Sequence, residues 1–559
     1  MSRAPRPPLA WTPVLAGGAL IVLAVIGLLA RPLLPVDETR YLAVAWSMWI
    51  HGDWLVPHLN GAAYADKPPL LFWLFHLGWA LFGVNDWWPR LVPALFAAGS
   101  VALMAPLAQL LWPDAETGTA RWTPAAAAPL ILAACLLWSL YATLVMFDMV
   151  LAFFALLGVY ALARAWRRGL ARDWALLGVA IGLGVLAKGP VILLHILPLA
   201  ILAPWWTGGT LGMSRTRWYV ALAAAVLLGA ALALAWALPA AQAGGPDYAH
   251  AIFWGQTADR MVDSFAHRRP WWWYLPLLPV FLFPWLLWPP LWRALVHWRA
   301  EQAAGDAGLW FCLAWVVPTF AAFSLISGKQ PHYVLPLLPG FALLAARLLA
   351  PTVRQDRTAG GRWYDGVPVA LVLAALGGAL IAVTTRAGPG GGAPWGPDWI
   401  GRISPGWGVL LIAAGLAVVL VARVPRASQV RVLAPLSALL VATFYVGLMH
   451  PVYARYDLRP AAREIGALQR QGNAVAQVGA YYGEYQFLGR LRHPLTVLRP
   501  AQASAWVRAH PTGFVVVYYS HGLPRAAPAP VYSQPYRTRT LAIWPAAVLA
   551  ARPQLLNAS

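Results

Sequence analysis

Apolar stretches of roughly 20 residues, long enough to cross a hydrocarbon core as helix, recur along most of the chain. Val14 to Leu34, Ala125 to Leu144 and Tyr219 to Leu238 are three of them. Such spans suit one solvent, the bilayer, where a helix satisfies its own backbone polar groups. Composition agrees, with 60% hydrophobic and 11% charged residues, against roughly a quarter charged in soluble domains. Arg3 and Arg6 precede the first span, as in a secretory signal. That span is longer than a signal core and no small-residue cleavage site follows, so it reads as a retained helix.

The periodicity and breaks predict thirteen helices, near 13–34, 90–112, 124–143, 147–166, 174–187, 190–207, 218–240, 275–296, 308–327, 332–350, 366–386, 405–423 and 431–449. With the N-terminus inside, the short cytoplasmic loops carry Arg164, Arg167, Arg168 and Arg172, then Arg215 and Arg217, Arg354, Arg357 and Arg362, and Arg423, Arg426 and Arg431. This obeys the positive-inside rule. Two long connections, 35–89 and 241–274, fall on the opposite side and mix charged residues with Trp, Tyr and Pro. Long irregular loops of this kind build sites more often than they merely connect. Residues 1–449 therefore read as one membrane domain.

From 450 to 559 the pattern changes to a helix at Pro460 to Gln471, strands at Ala474 to Val478 and Gly513 to Tyr519, and a helix at Ala501 to Ala509. Alternation of this type predicts a small α/β domain, which thirteen spans would put outside the cytoplasm. It carries 12 arginines against Asp457, Glu464 and Glu484. The net charge of +21 is scattered over loops, which speaks against nucleic acid and for anionic lipid as partner. Cys135 and Cys312 lie in apolar spans, so neither a disulfide framework nor a cysteine zinc cluster is available.

The chain has 38 arginines but only three lysines, Lys67, Lys188 and Lys329. All three fall on the extracytoplasmic side of the expected topology, where the positive-inside rule gives them no support. Lys67 follows Tyr64-Ala65-Asp66 and precedes two prolines that fix the backbone, so it can present a point charge to phosphate. Lys188 lies in Lys188-Gly189-Pro190, and Lys329 in Gly328-Lys329-Gln330-Pro331-His332-Tyr333. Asp37 and Glu38, with Thr39-Arg40-Tyr41, follow the first span directly. Carboxylates at that depth are costly and usually functional. Asp148 stands at the outer end of the fourth helix, either as a catalytic group or as a partner of an arginine such as Arg90. The second long loop offers Asp259, Arg260, Asp263, His267, Arg268 and Arg269, then an aromatic run, Trp271 to Tyr274, of the interfacial type.

Taken together, Asp37 to Tyr41, His51-Gly52-Asp53-Trp54, Pro57 to Gly61 and Tyr64 to Pro69 resemble the first periplasmic loop of the bacterial aminoarabinose transferases. Those belong to the protein-O-mannosyltransferase-like group of GT-C glycosyltransferases. Asp148, Lys188-Gly189, His267 to Pro270 and Lys329 to Leu335 also match that pattern, which extends to about residue 350. Asp66 departs from it, since Glu is expected before Lys-Pro. The resemblance implies a polytopic α-helical GT-C membrane protein of the bacterial inner membrane, with its site and its C-terminal α/β domain periplasmic. It implies transfer of 4-amino-4-deoxy-L-arabinose from undecaprenyl phosphate to lipid A, which confers resistance to polymyxin. In that scheme Asp37, Glu38 and Asp148 are catalytic, while Arg40, Tyr64, Lys67, Lys188, Arg268, Lys329 and Tyr333 bind the donor phosphate. No cofactor is required; Asp66 and His267 would be the ligands of any structural zinc or magnesium ion. A monomer is expected.

Three alternatives remain open on the residues alone. The scaffold could glycosylate protein Ser or Thr, with Asp37 as general base. It could move another sugar to another lipid, or it could be a transporter, although broken midplane helices with buried charge would then be expected.

Overall fold

The computed structural model describes residues 11–113, 123–255, 268–301, 305–355, 361–387, 399–424, 426–524 and 527–556. Among them, eight helices are long and apolar enough to cross a membrane, from Thr12–Ala30 to Ser428–Arg470, and four shorter apolar helices accompany them. Leu29, Leu227, Leu371 and Leu420 are each more than 60% exposed on these helices. Leucines left so open are at home against lipid, and the chain is an integral membrane protein.

Helix occupies every segment in which the sequence predicts a span, but several are broken. The 124–143 segment is two pieces, α5 (Pro124–Ala133) and α6 (Leu136–Tyr141). The 275–296 segment begins as short turns around Pro276 and Pro284 and continues as a helix from Pro289. Proline removes a backbone donor and crowds the preceding turn. Other spans are continuous: α1 (Thr12–Ala30), α4 (Trp87–Leu111), α7 (Phe147–Arg168) and α8 (Ala171–Lys188). The loop 35–89 is itself largely helical, with α2 (Asp37–His51) and α3 (Leu70–Phe82) joined through a two-stranded ribbon, β1 (His58–Leu59) and β2 (Ala62–Ala63).

The C-terminal segment is a five-stranded sheet in the order β4-β3-β5-β7-β6. Its strands are β3 (Val475–Val478), β4 (Thr496–Leu498), β5 (Phe514–Tyr519), β6 (Tyr532–Tyr536) and β7 (Arg539–Pro545). Strands β4, β3 and β5 run parallel, and β7 and β6 are antiparallel additions. Val515 and Val517 face a layer containing Val507 and Leu549, whereas Val516 and Ile543 face Ile465 and Leu468. Helices on both faces explain why β5 reads as an unbroken apolar run rather than an alternating one.

This unit is seated on the 35–89 segment. Trp46 Nε1 donates to the Leu491 carbonyl at 2.8 Å, and Trp79 stacks on Phe487 with centroids 5.4 Å apart. Asn60 Nδ2 donates to the Leu495 carbonyl, and its Oδ1 accepts from Leu495 N, at 2.9 and 2.8 Å. The approach is close at Gly483, whose φ of +84° already favours glycine and where a Cβ would lie 2.7 Å from Leu59 and 2.8 Å from Ala43.

Candidate active site

The site is built where α7 and α8 end. These helices are antiparallel and joined through Gly169 and Leu170, so the first turn of α7 lies beside the last turn of α8. That places Asp148 at a helix N-terminus and Lys188 at a helix C-terminus, each where the helix dipole favours its charge. Lys188 Nζ donates to Asp148 Oδ1. Gly189, at φ +82°, ends α8 directly after Lys188.

Three further elements close on this pair. His332, in the turn Pro331–Leu337, brings Nε2 to 4.0 Å from Asp148 Oδ1, and its Nδ1 lies 3.3 Å from the hydroxyl of Tyr141 at the end of α6. Lys188 Nζ sits 5.0 Å from the centre of the Tyr333 ring. Lys67, on the loop before α3, lies within electrostatic reach of both Asp148 and His332, and Asp37 within reach of His332 and Tyr141. Lys67, Lys188, Asp148, His332 and Asp37 thus surround one region, although they come from five separate segments.

The first helix of the loop is anchored there by aromatic contacts. Tyr41 meets Phe147 edge-on at 4.9 Å, and Phe72 of α3 meets the same ring at 5.5 Å. Asp37, one helical turn before Tyr41, keeps half its side chain exposed and pairs with Arg40 at 2.5 Å. The Arg40 guanidinium also stands 5.8 Å from the Tyr482 ring of the C-terminal unit, and Tyr64 is buried within its electrostatic reach. Burial alone would lower the Arg40 pKa, but the neighbouring Tyr64 and the Asp37 carboxylate outweigh it and the net shift is upward. A carboxylate, a cation and a phenol ring here face the seam between the membrane helices and the C-terminal sheet.

Two residues expected to act on substrate are committed elsewhere. Glu38 is buried, with Oε2 accepting from Arg31 Nη1 at 2.5 Å and Leu34 N at 2.7 Å. Its Oε1 accepts from Arg31 Nη2 at 2.8 Å and Val145 N at 2.9 Å. A carboxylate has about four lone-pair directions, and all are used. Burial alone would raise the Glu38 pKa, but the Arg31 pairing outweighs it and the net shift is downward. Glu38 therefore fixes α2 to the ends of α1 and α6. Lys329 is likewise buried, donating to the carbonyls of Ile326 and, at 3.1 Å, Arg269. It holds together two backbone segments that also bridge at Arg268 and Gly328. Arg268 itself is exposed beside that bridge.

Arg90, the alternative partner considered for Asp148, instead donates to the carbonyls of Gly27, Leu28 and Arg31. For the expected ion ligands, Asp66 is half-buried and engaged with neighbours, while His267 lies outside the described residues, as do Asp259, Arg260 and Asp263. Among the described residues no three His, Cys, Asp or Glu side chains group as a metal site. His332 and Tyr141 join the site without a sequence signal of their own. His332 lies in the segment Gly328 to Tyr333, whereas Tyr141 reads as one more aromatic in an apolar span until α5 and α6 separate.

The profile of the dolichyl-phosphate-mannose-protein mannosyltransferase family matches residues 66–240. An undecaprenyl phosphate-alpha-4-amino-4-deoxy-L-arabinose arabinosyl transferase of Pseudomonas paraeruginosa is 36% identical over 349 residues, 61% of this chain and 60% of that protein. One from Sodalis glossinidius is 33% identical over 390 residues, 68% and 65% of the two chains. The chain thus spans about 60% of the length of the first of these curated relatives. The crystal structure of ArnT from Cupriavidus metallidurans bound to undecaprenyl phosphate superposes with a TM-score of 0.68 at 22% identity, covering 95% of this chain and 97% of that one. The apo state of the same protein gives the same score. The fold is that of this GT-C protein.

Proposed function

We propose that the protein transfers 4-amino-4-deoxy-L-arabinose from undecaprenyl phosphate to a phosphate of lipid A, at the periplasmic face of the inner membrane. The observation that carries the reading is the convergence of Lys67, Lys188, Asp148, His332 and Asp37 on one region of a GT-C fold. Relatives over 30% identical bear the name of that transferase, which supports this sugar over others.

In the proposed reaction an oxygen of the acceptor phosphate attacks the anomeric carbon of the sugar. The bond from that carbon to the donor phosphate breaks, and undecaprenyl phosphate leaves with the electron pair. The acceptor is already anionic, so no strong base is needed. The demand falls on the leaving phosphate, whose growing charge calls for fixed cations. Lys67 is assigned that role, with exposed Arg268 as a second contact. Asp148, held by Lys188 and the α7 dipole, and Asp37 supply negative charge to the cationic sugar and its amine. Lys329 and Glu38 act by position, each tying a segment of the site in place. Capping an anionic phosphate with an amine-bearing sugar removes a docking point for cationic peptides, which accounts for polymyxin resistance.

The test is donor consumption by the purified chain in detergent, with no vesicle present. Loss of undecaprenyl-phosphate-aminoarabinose only when acceptor is added supports transfer. No consumption by folded protein, with counterflow of donor in vesicles, would make it a transporter instead.

A further inference from the structure

Across the seam from Asp37, the C-terminal unit presents one aromatic side chain that its own core does not use. Tyr481 is half-buried and residues 483–487 are buried, whereas Tyr482 between them is 44% exposed. The ring is nevertheless fixed. Its backbone N–H donates to Glu484 Oε2 at 2.8 Å, and Gly483 follows at φ +84°, pressed on Leu59 and Ala43. On the other side Tyr481 stacks on Tyr485 with centroids 5.5 Å apart. Two contacts lock this turn to the membrane segment. Asn60 N donates to Gln486 Oε1 at 3.3 Å, and Arg537 Nη2 donates to the Pro35 carbonyl at 2.6 Å, two residues before Asp37. An exposed ring held this way loses little freedom when a ligand covers it.

The groups beside the ring define what that ligand carries. The Arg40 guanidinium stands 5.8 Å from the Tyr482 centroid and pairs with Asp37 Oδ1. Asp37 keeps 51% of its side chain exposed, and a carboxylate can accept about four hydrogen bonds, so it can take a second cation beside Arg40. Arg40 thus joins a partly free carboxylate to an aromatic face. A carboxylate with a π face is the combination that receives an ammonium group, one by charge and the other by the ring quadrupole. The acceptor contributes an anionic phosphate, whereas the donor sugar carries an amine. Resting on the transfer reaction proposed above, we propose that Tyr482 is a specificity-determining residue that takes the ammonium of the donor sugar on its ring face, with Asp37 as counter-charge. The C-terminal unit then selects the amino sugar, and Tyr482 neither touches the leaving phosphate nor moves a proton.

The experiment is native mass spectrometry of the full chain in detergent, titrated with undecaprenyl-phosphate-aminoarabinose and with undecaprenyl-phosphate-arabinose, in which a hydroxyl replaces the amine. Binding is read without turnover. Tyr482→Leu keeps apolar bulk but loses the π face, and should weaken the amine donor about 3- to 10-fold while leaving the hydroxyl donor where it is in the wild type. Tyr482→Phe, which keeps the ring, should restore the preference. Tyr482→Lys, which sets a like charge against the ammonium, should move the same way as Tyr482→Leu by more, and serves if that variant melts early. Equal affinity of wild type and Tyr482→Leu for the amine donor overturns this assignment alone. Equal weakening of both donors overturns it as well, making Tyr482 a packing residue. A wild type that binds neither donor overturns the transfer reading together with it.

Discussion

Replacing Glu38 by Gln separates a positioning role from a catalytic one. The substitution keeps shape but turns one oxygen into a donor that must face Val145 N–H or Leu34 N–H, and it leaves Arg31, whose side chain is fully buried, without its counter-charge. Breaking a buried ion pair from one side costs about 3–5 kcal/mol. At roughly 2 °C per kcal/mol, the lower end for larger domains, the melting temperature should drop by about 6 °C or more. Tryptophan fluorescence in detergent reports it, since the chain has 33 tryptophans. The double variant R31M/E38L removes both charges but also the partners of Leu34 N, Val145 N and the Thr143 carbonyl, so it should recover only part of the loss. The pH dependence has a definite sign. The Glu38 pKa is depressed from 4.5 in the folded state, so its stabilisation is fully present above that value and lost as the pH falls through the folded-state pKa. An E38Q protein that melts like wild type yet has lost turnover would refute this reasoning and return Glu38 to the chemistry.

Lys67→Ala should lower kcat about 100- to 1,000-fold, the usual cost of one fixed charge at a developing anion. The pair D148L/K188M should be close to wild type in stability, since both charges go together, but inactive; either single change should be the less stable protein. Asn60→Ala removes two hydrogen bonds to Leu495, worth about 1 kcal/mol each. It should speed limited proteolysis between the membrane segment and the C-terminal sheet.

Much of the fold was legible because its signals are local. A run such as Phe147–Arg168 declares a helix by length and apolarity alone, and the helix Arg459–Arg470 and strand Phe514–Tyr519 lie within a residue of where periodicity puts them. Strands β4, β6 and β7 carry no clear sequence signal: β4 is only three residues long, and Pro535 and Arg539 disguise an edge hairpin. The site was legible in part. Three lysines in an arginine-rich chain pointed to one that pairs with Asp148 and a second within its electrostatic reach, but residue type cannot say where a side chain's partners lie. Lys329 found backbone carbonyls, and Glu38, adjacent to Asp37 in sequence, faces the opposite way into Arg31 because neighbours on a helix are about 100° apart. The meeting of His332 with Tyr141 depends on a helix break and is a property of the folded chain.

The central claim is tested most directly by incubating the purified protein with undecaprenyl-phosphate-aminoarabinose and lipid A and weighing the lipid product, with Asp37→Asn as the control. The account expects lipid A to gain the mass of one aminoarabinose in the wild type and little or none in the variant. Unmodified lipid A from a demonstrably folded wild-type protein, or equal gain in the variant, would contradict it.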